Sequence, residues 1–341
     1  MARRAAQLIV IPSLDFNLRA LGSTVAAGVG GVLFLGNAPP PADLSRQVTA
    51  TNSVAPGGVP PLTMADEEGG GVQRLAGFVA SFPWAREMAQ TMTPAQVQAT
   101  ASAVGHQMHQ AGIAMDLAPV LDVDGRPGPS RTNPDGLRSF SADPTIASRY
   151  GNAFMDGLRQ GGAIPVVKHF PGLGDATGNT DYGAASTLPL PTLWAGGLAP
   201  FQAAIAAGAP AVMVSNAAVP GLTIGPASLS KAAVDGLLRH DLGFTGLVLT
   251  DSLSAGAIVQ TGDSLPQAAV AAIEAGADMV LFGSTLTPAQ TLLLSPANVK
   301  ATTQQIVDAL VAAAGTGALP IERLDDAVAH VLTVKGVAAC T

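Results

Sequence analysis

The sequence predicts a (β/α)8 barrel, built as a single domain over residues 1–341 with helices finishing its C-terminal end. Three observations carry that expectation. Short apolar runs recur eight times, Ala-rich segments with helical spacing separate them, and polar residues collect at the same end of successive runs. A doubly wound open sheet is the other arrangement that such alternation allows.

The eight runs are residues 8–12, 31–35, 61–65, 113–118, 164–167, 211–214, 246–250 and 277–282. They are short, rich in β-branched residues, Leu and Met, and free of strict alternation. Strands covered on both faces read this way. Between them, residues 93–110 begin with Thr93 as an N-cap, Pro94 in the first helical position and Gln96 in the capping-box place. Asp143-Pro144 repeats the signal and opens 144–160. Segments 194–207, 231–237 (with Ser230 as cap) and 265–275 also fit helices. After the last run, Ser295 caps 296–314, and 321–337 completes the set.

Composition narrows the functional classes. Apolar residues make up 48% of the chain and charged residues 12%, so a large core is available and long disordered tracts are not expected. The net charge of −7 and the lack of a basic cluster beyond Arg3-Arg4 argue against nucleic acid or an anionic membrane as partner. No window approaches the roughly 20 apolar residues that span a bilayer. Cys340 is the only cysteine, which excludes an internal disulfide. Together with the abrupt start at Met1-Ala2-Arg3-Arg4, it allows either an exported protein trimmed at its N-terminus or a cytoplasmic one. A monomer is expected.

Strand ends are where such barrels build active sites. The third run ends in Asp66-Glu67-Glu68-Gly69-Gly70-Gly71, whose glycines allow a tight turn and close approach of a ligand. The fourth carries Asp116 and is followed by Asp122. The fifth ends in Lys168-His169, the sixth in Ser215-Asn216, the seventh in Thr250-Asp251-Ser252. Adjacent polar side chains leaving a buried strand need partners, so Lys168-His169 is hard to explain without a site. Asp251 reads either as a reactive carboxylate or as the N-cap of a helix over 252–258. No metal and no cofactor are expected: the five histidines show no ligand spacing with carboxylates, and no Gly-rich phosphate loop or G-x-S-x-G elbow is present.

Taken together, Asp66-Glu67-Glu68-Gly69-Gly70-Gly71-Val72-Gln73-Arg74, Asp116-Leu117-Ala118-Pro119-Val120-Leu121-Asp122-Val123, Arg138-Ser139-Phe140, Lys168-His169-Phe170-Pro171-Gly172, Pro226-Ala227-Ser228-Leu229-Ser230 and Thr250-Asp251-Ser252-Leu253-Ser254 resemble glycoside hydrolase family 3. Within it, the chain is similar to the single-domain bacterial β-N-acetylglucosaminidases. The resemblance implies a retaining exo-β-N-acetylhexosaminidase acting on cell-wall-derived or related amino-sugar glycosides, with a small glycan as substrate. Asp251 falls on the nucleophile. Asp66, Arg74, Arg138, Lys168 and His169 fall on the groups that hold the sugar. A β-glucosidase of the same family is the alternative, but those usually carry a second domain and an aromatic residue where Ser252 stands. A sugar-binding homologue of low activity is the third reading.

The chain departs from the family in one loop. Where the family reads Pro-Gly-His-Gly and then Asp-Ser-His, this chain has Leu173 and then Asn179-Thr180-Asp181. The acid/base histidine is thus replaced by Asp181, with Asn179 beside it to orient it and Asp175 as a rival for the role. Asn216 likewise stands where family members often have histidine. A carboxylic acid suits the chemistry, but a free Asp titrates near ~3.9, so Asp181 needs burial or a nearby negative charge to hold its proton.

Overall fold

The computed structural model describes residues 1–337, which leaves Cys340 outside the described residues. Eight strands run parallel: β1 Ile9–Leu14, β2 Gly31–Leu35, β3 Leu62–Ala65, β4 Met115–Asp116, β5 Ile164–Phe170, β6 Ala211–Val214, β7 Leu247–Thr250 and β8 Val280–Leu281. β8 pairs with β1, and Leu249 of β7 bridges Met279 in parallel just before β8. The sheet therefore closes on itself, and the open doubly wound arrangement is excluded. The strands are buried almost throughout, because helices cover the outside and side chains fill the inside.

The apolar runs locate every strand, with shifted ends. β4 forms a regular ladder only at Met115–Asp116, although Ala114 N–H still donates to Thr63 O and Leu117 N–H to Ala65 O. β5 runs three residues further than its apolar stretch, carrying Lys168, His169 and Phe170 into the strand. The reason is pairing: Lys168 bridges Val120, and its N–H donates to Pro119 O.

Caps define the helices as their residue types require. Thr93 Oγ1 accepts from Gln96 N–H and opens Pro94–Ala111, Asp143 accepts from Thr145 and Ile146 N–H at Pro144–Gln160, and Ser295 accepts from Asn298 N–H at Pro296–Thr316. Ser230 makes no side-chain cap; the helix it precedes, Ala232–Asp241, is wound as a π-helix. The segment expected over 194–207 is interrupted. Leu193–Gly197 forms a π-turn with Leu198 N–H bonded to Leu193 O, and Ala199–Ala206 follows as α-helix, the break falling at Gly196-Gly197. The last helix ends at Val334 rather than at 337. Among the described residues, no helix is long and apolar enough to cross a membrane.

Candidate active site

At the C-terminal end of the barrel a cavity of about 500 Å³ opens between the loops. It is lined by Asp66, Arg74, Arg138, Lys168, His169, Asp181 and Asp251, together with Asn179 and the unanticipated Glu68, Arg131 and Tyr182. These residues come from β3, β5, β7 and the loops after β4 and β5, so closure of the barrel is what assembles them.

The floor is an interlocked charge cluster. Lys168, 2% exposed, places Nζ 2.6 Å from Asp66 Oδ1 and 2.6 Å from Glu68 Oε1. Arg138 forks onto the same Glu68, with Nε at 2.7 Å and Nη2 at 2.8 Å, and its Nη1 donates to Pro134 O. Burial pushes the Glu68 carboxyl up, but Arg138 and Lys168 outweigh it and hold the group well below the usual carboxylate range. Burial likewise disfavours the charge on Lys168, and Asp66 and Glu68 overcome it, so the ammonium is held above its ordinary value. Glu68 is therefore the buried counter-charge for two cations. Its motif was evident in the sequence, but its pairing across the barrel was not.

His169 is oriented from both sides. Its ring Nδ1 lies 2.6 Å from Asp122 Oδ2, while Nε2 faces Arg138 Nη2 at 3.4 Å. A guanidinium only donates, so Nε2 is the acceptor and Nδ1–H donates to Asp122. Burial, then Arg138 and Lys168, lower the imidazole to about 4, which keeps it neutral. Asp122 also accepts the backbone N–H groups of His169 and Leu173, tying down the turn that leaves β5. Leu173, standing at the family's first histidine, is buried with Ala176 and Ala217.

The two candidate reacting carboxylates differ in their surroundings. Asp251 follows β7; its Oδ1 accepts from Ser252 N–H at 2.7 Å. It does not cap a helix over 252–258, since the helix there spans only Gly256–Val259 behind a turn. Burial raises Asp251, with Asp181 adding to the rise, against the Ser252 N–H bond and the charge of Lys168. Among the described residues, no donor reaches the Asp181 carboxylate. Burial raises it, Asp66 adds to the rise, and Arg138 and Lys168 oppose.

Asn179 orients Asp181 through the backbone rather than through the carboxylate: its Oδ1 accepts Asp181 N–H at 2.9 Å. Asp175 does not reach the cavity. It is exposed on the far side of the loop with φ at 56°, and Arg126 Nε lies 3.0 Å from its carboxylate. Asn216 is buried beneath the site; Nδ2 donates to Ser252 O at 2.8 Å, and Oδ1 accepts from Ser228 at 2.6 Å. It thereby joins the Pro226–Ser230 motif to the Asp251 turn.

Two further expectations change. Gly70 and Gly71 turn the chain between the short antiparallel strands Glu67–Gly69 and Val72–Gln73, and the group that approaches them closely is Trp84. A Cβ on Gly70 would stand 2.0 Å from the indole Cδ2, so the glycine serves packing and not ligand access. The spacing of the histidines gave no ligand set, but folding brings Asp122, Asp135 and His169 together, with candidate ligand atoms within 4.8 Å of one another. Arg131 also stacks over Tyr182, 4.4 Å from the ring centre, joining the loops after β4 and β5 above the cavity.

Comparison with known proteins places the chain in one family. The family model described as "Glycosyl hydrolase family 3 N terminal domain" matches residues 4–334. The chain is 39% identical over 292 residues to the beta-hexosaminidase LpqI of Mycobacterium tuberculosis, covering 83% of this chain and 70% of that protein. A beta-hexosaminidase of Xanthomonas oryzae pv. oryzae is 33% identical over 266 residues, covering 75% of this chain and 76% of its own. The crystal structure of beta-N-acetylhexosaminidase from Beutenbergia cavernae superposes with a TM-score of 0.86 at 34% identity, covering 98% of both chains. With the family model spanning nearly the whole barrel, the chain belongs to glycosyl hydrolase family 3 and is a glycoside hydrolase.

Proposed function

We propose that this chain is a retaining exo-β-N-acetylhexosaminidase acting on terminal N-acetylated amino sugars, including those released from cell walls. The observation that carries the reading is the pairing of Asp181 and Asp251 in one cavity with the Lys168–Asp66–Glu68–Arg138 cluster. In this reading Asp251, whose Oδ1 accepts the Ser252 N–H, is the ionised member of the pair and attacks the anomeric carbon. Asp181, whose carboxylate meets no donor among the described residues, is the member of the pair that holds a proton. It gives that proton to the departing oxygen and later takes one from the water that cleaves the glycosyl-aspartate. Asp66, Arg74, Arg138, Lys168 and His169 hold the sugar hydroxyls: carboxylates accept from them, and the cations and Nε2 of His169 complete the set. The chain acts as one domain and as a monomer. No cofactor is needed for this chemistry.

Aryl glycosides with and without the 2-acetamido group test the substrate. A strong preference for the N-acetylhexosaminide is expected; preference for the glucoside would replace this reading with a β-glucosidase. Asp251→Ala should abolish turnover while ligand still binds. If wild type itself binds N-acetylglucosamine without turning over any glycoside, the chain is a sugar-binding homologue.

A further inference from the structure

Asp135 is a buried carboxylate that the mechanism leaves unused. It lies in the loop after β4, at the start of the short 3-10 turn Gly136–Arg138, and is 0% exposed. Among the described residues, no hydrogen-bond donor reaches either of its oxygens. An ionised carboxylate left this way would be a buried charge with no hydrogen bond, a costly state. Its neighbours are Asp122 and His169, whose polar atoms lie within 4.8 Å, with Arg138 and Asp124 further contributing to its field.

We propose that Asp135 is a positioning residue: as a neutral carboxylic acid it donates its hydroxyl hydrogen to the Asp122 carboxylate, and that bond holds His169 and Arg138 in place for the sugar. Asp122 already accepts from His169 Nδ1 and from the backbone of His169 and Leu173. Asp135 sits three residues before Arg138, whose N–H donates to Asp135 O. One shared proton thus joins the β4 loop that delivers Arg138 to the β5 turn that delivers His169. Burial, followed by the neighbouring Asp122 charge, raises Asp135 well above the ordinary carboxylate range, in keeping with the neutral form.

A metal ion is the rival occupant, and the contacts disfavour it. The 2.6 Å separation of His169 Nδ1 and Asp122 Oδ2 is that of a hydrogen bond, so a cation would have to displace the Nδ1 proton. It would also face the Arg138 guanidinium beside Nε2. A proton requires neither change.

The role assigned to Asp135 rests on the proposed sugar site, so the test includes a readout independent of hydrolysis. Infrared spectra at neutral pH should show a protonated-carboxyl band in wild type that is lost in Asp135→Asn. Asp135→Ala should raise KM roughly tenfold, the effect of one lost hydrogen bond at a binding group, with kcat changed far less. Asp135→Asn supplies a neutral N–H donor to Asp122 and should recover most of that loss. It should also remove the weakening of sugar binding at alkaline pH, where wild-type Asp135 gives up its proton to solvent. An unchanged infrared band, an Asp135→Ala enzyme with wild-type KM, an Asp135→Asn enzyme as weak as Asp135→Ala, or a stoichiometric metal lost with Asp135 would each overturn the proposal. A chain that proves inactive on every glycoside leaves the infrared comparison and the affinity for N-acetylglucosamine to decide it.

Discussion

Asp181 and Asp251 are half-buried carboxylates in one cavity, and hydrogen bonding separates them. Asp251 accepts a backbone N–H; the Asp181 carboxylate accepts nothing among the described residues. Under the proposed mechanism this sets the pH profile. The acid form of Asp181 is required, and its raised pKa means activity is present below that value and lost as pH rises through it. The ionised form of Asp251 is required, so activity is lost again as pH falls through its own raised value. A bell-shaped kcat/KM is therefore expected. Asp181→Asn should lose the alkaline limb and about 10²–10⁴-fold in rate on glycosides with poor leaving groups, and much less on activated aryl glycosides. Equal losses on both substrate types would remove Asp181 from leaving-group protonation.

At the scale of elements, the loop after β5 is held by the turn after β7. Gly256 N–H donates to Asp181 O at 3.0 Å, and Ala257 N–H donates to Thr180 O at 2.9 Å. The two proposed reacting groups thus sit on backbones fastened to each other. The contact is close: a Cβ on Gly256 would lie 2.5 Å from the Tyr182 carbonyl carbon. Gly256→Ala must push the Asp181 loop outward, and overpacking of this kind costs about 1–3 kcal/mol. The expected result is a fall in kcat that is larger for poor leaving groups than for good ones, with Asp251 still able to form the glycosyl-enzyme. A crystal structure of Gly256→Ala with the loop unmoved, or wild-type kinetics, would contradict this. Asn216 supports the other side of the same turn by holding Ser252 O, a link that reading along strand ends does not reveal.

At the scale of the whole molecule, the two ends of the barrel carry different tasks. Asp278, 0% exposed just before β8, accepts from Arg239, Arg323, His330 and the backbone of Val248. It fastens the final helix, Ile321–Val334, to the barrel. These groups line no part of the active-site cavity. Asp278→Ala leaves two largely buried guanidinium groups without their partner, and should destabilise the fold by about 3–5 kcal/mol. Denaturant midpoints should fall while kcat/KM of the folded enzyme is unchanged; the reverse pattern would place this cluster in the catalytic machinery.

The sequence by itself determined the eight strands, most of the helices and the end of the barrel where chemistry resides. Those features depend on local signals: apolar runs, Ser, Thr and Asp caps, and polar residues released at strand ends. It also brought Asp66, Arg74, Arg138, Lys168, His169, Asp181 and Asp251 into consideration, and the cavity contains all seven. Ordinary spacing along the chain could not show that Asp175 points away, that Trp84 fills the space at Gly70, or that the Lys168–His169 peptide is cis. Nor could it show that Glu68 neutralises two cations, or that Asp135 stands beside Asp122 and His169. The charge pairings among them join residues far apart in the chain, such as Glu68 and Arg138, 70 apart. They exist only once β8 meets β1 and the barrel brings its strand ends into one ring. Local propensity selects elements, but charge pairing and burial depend on distance in space, and closure of the barrel sets that distance.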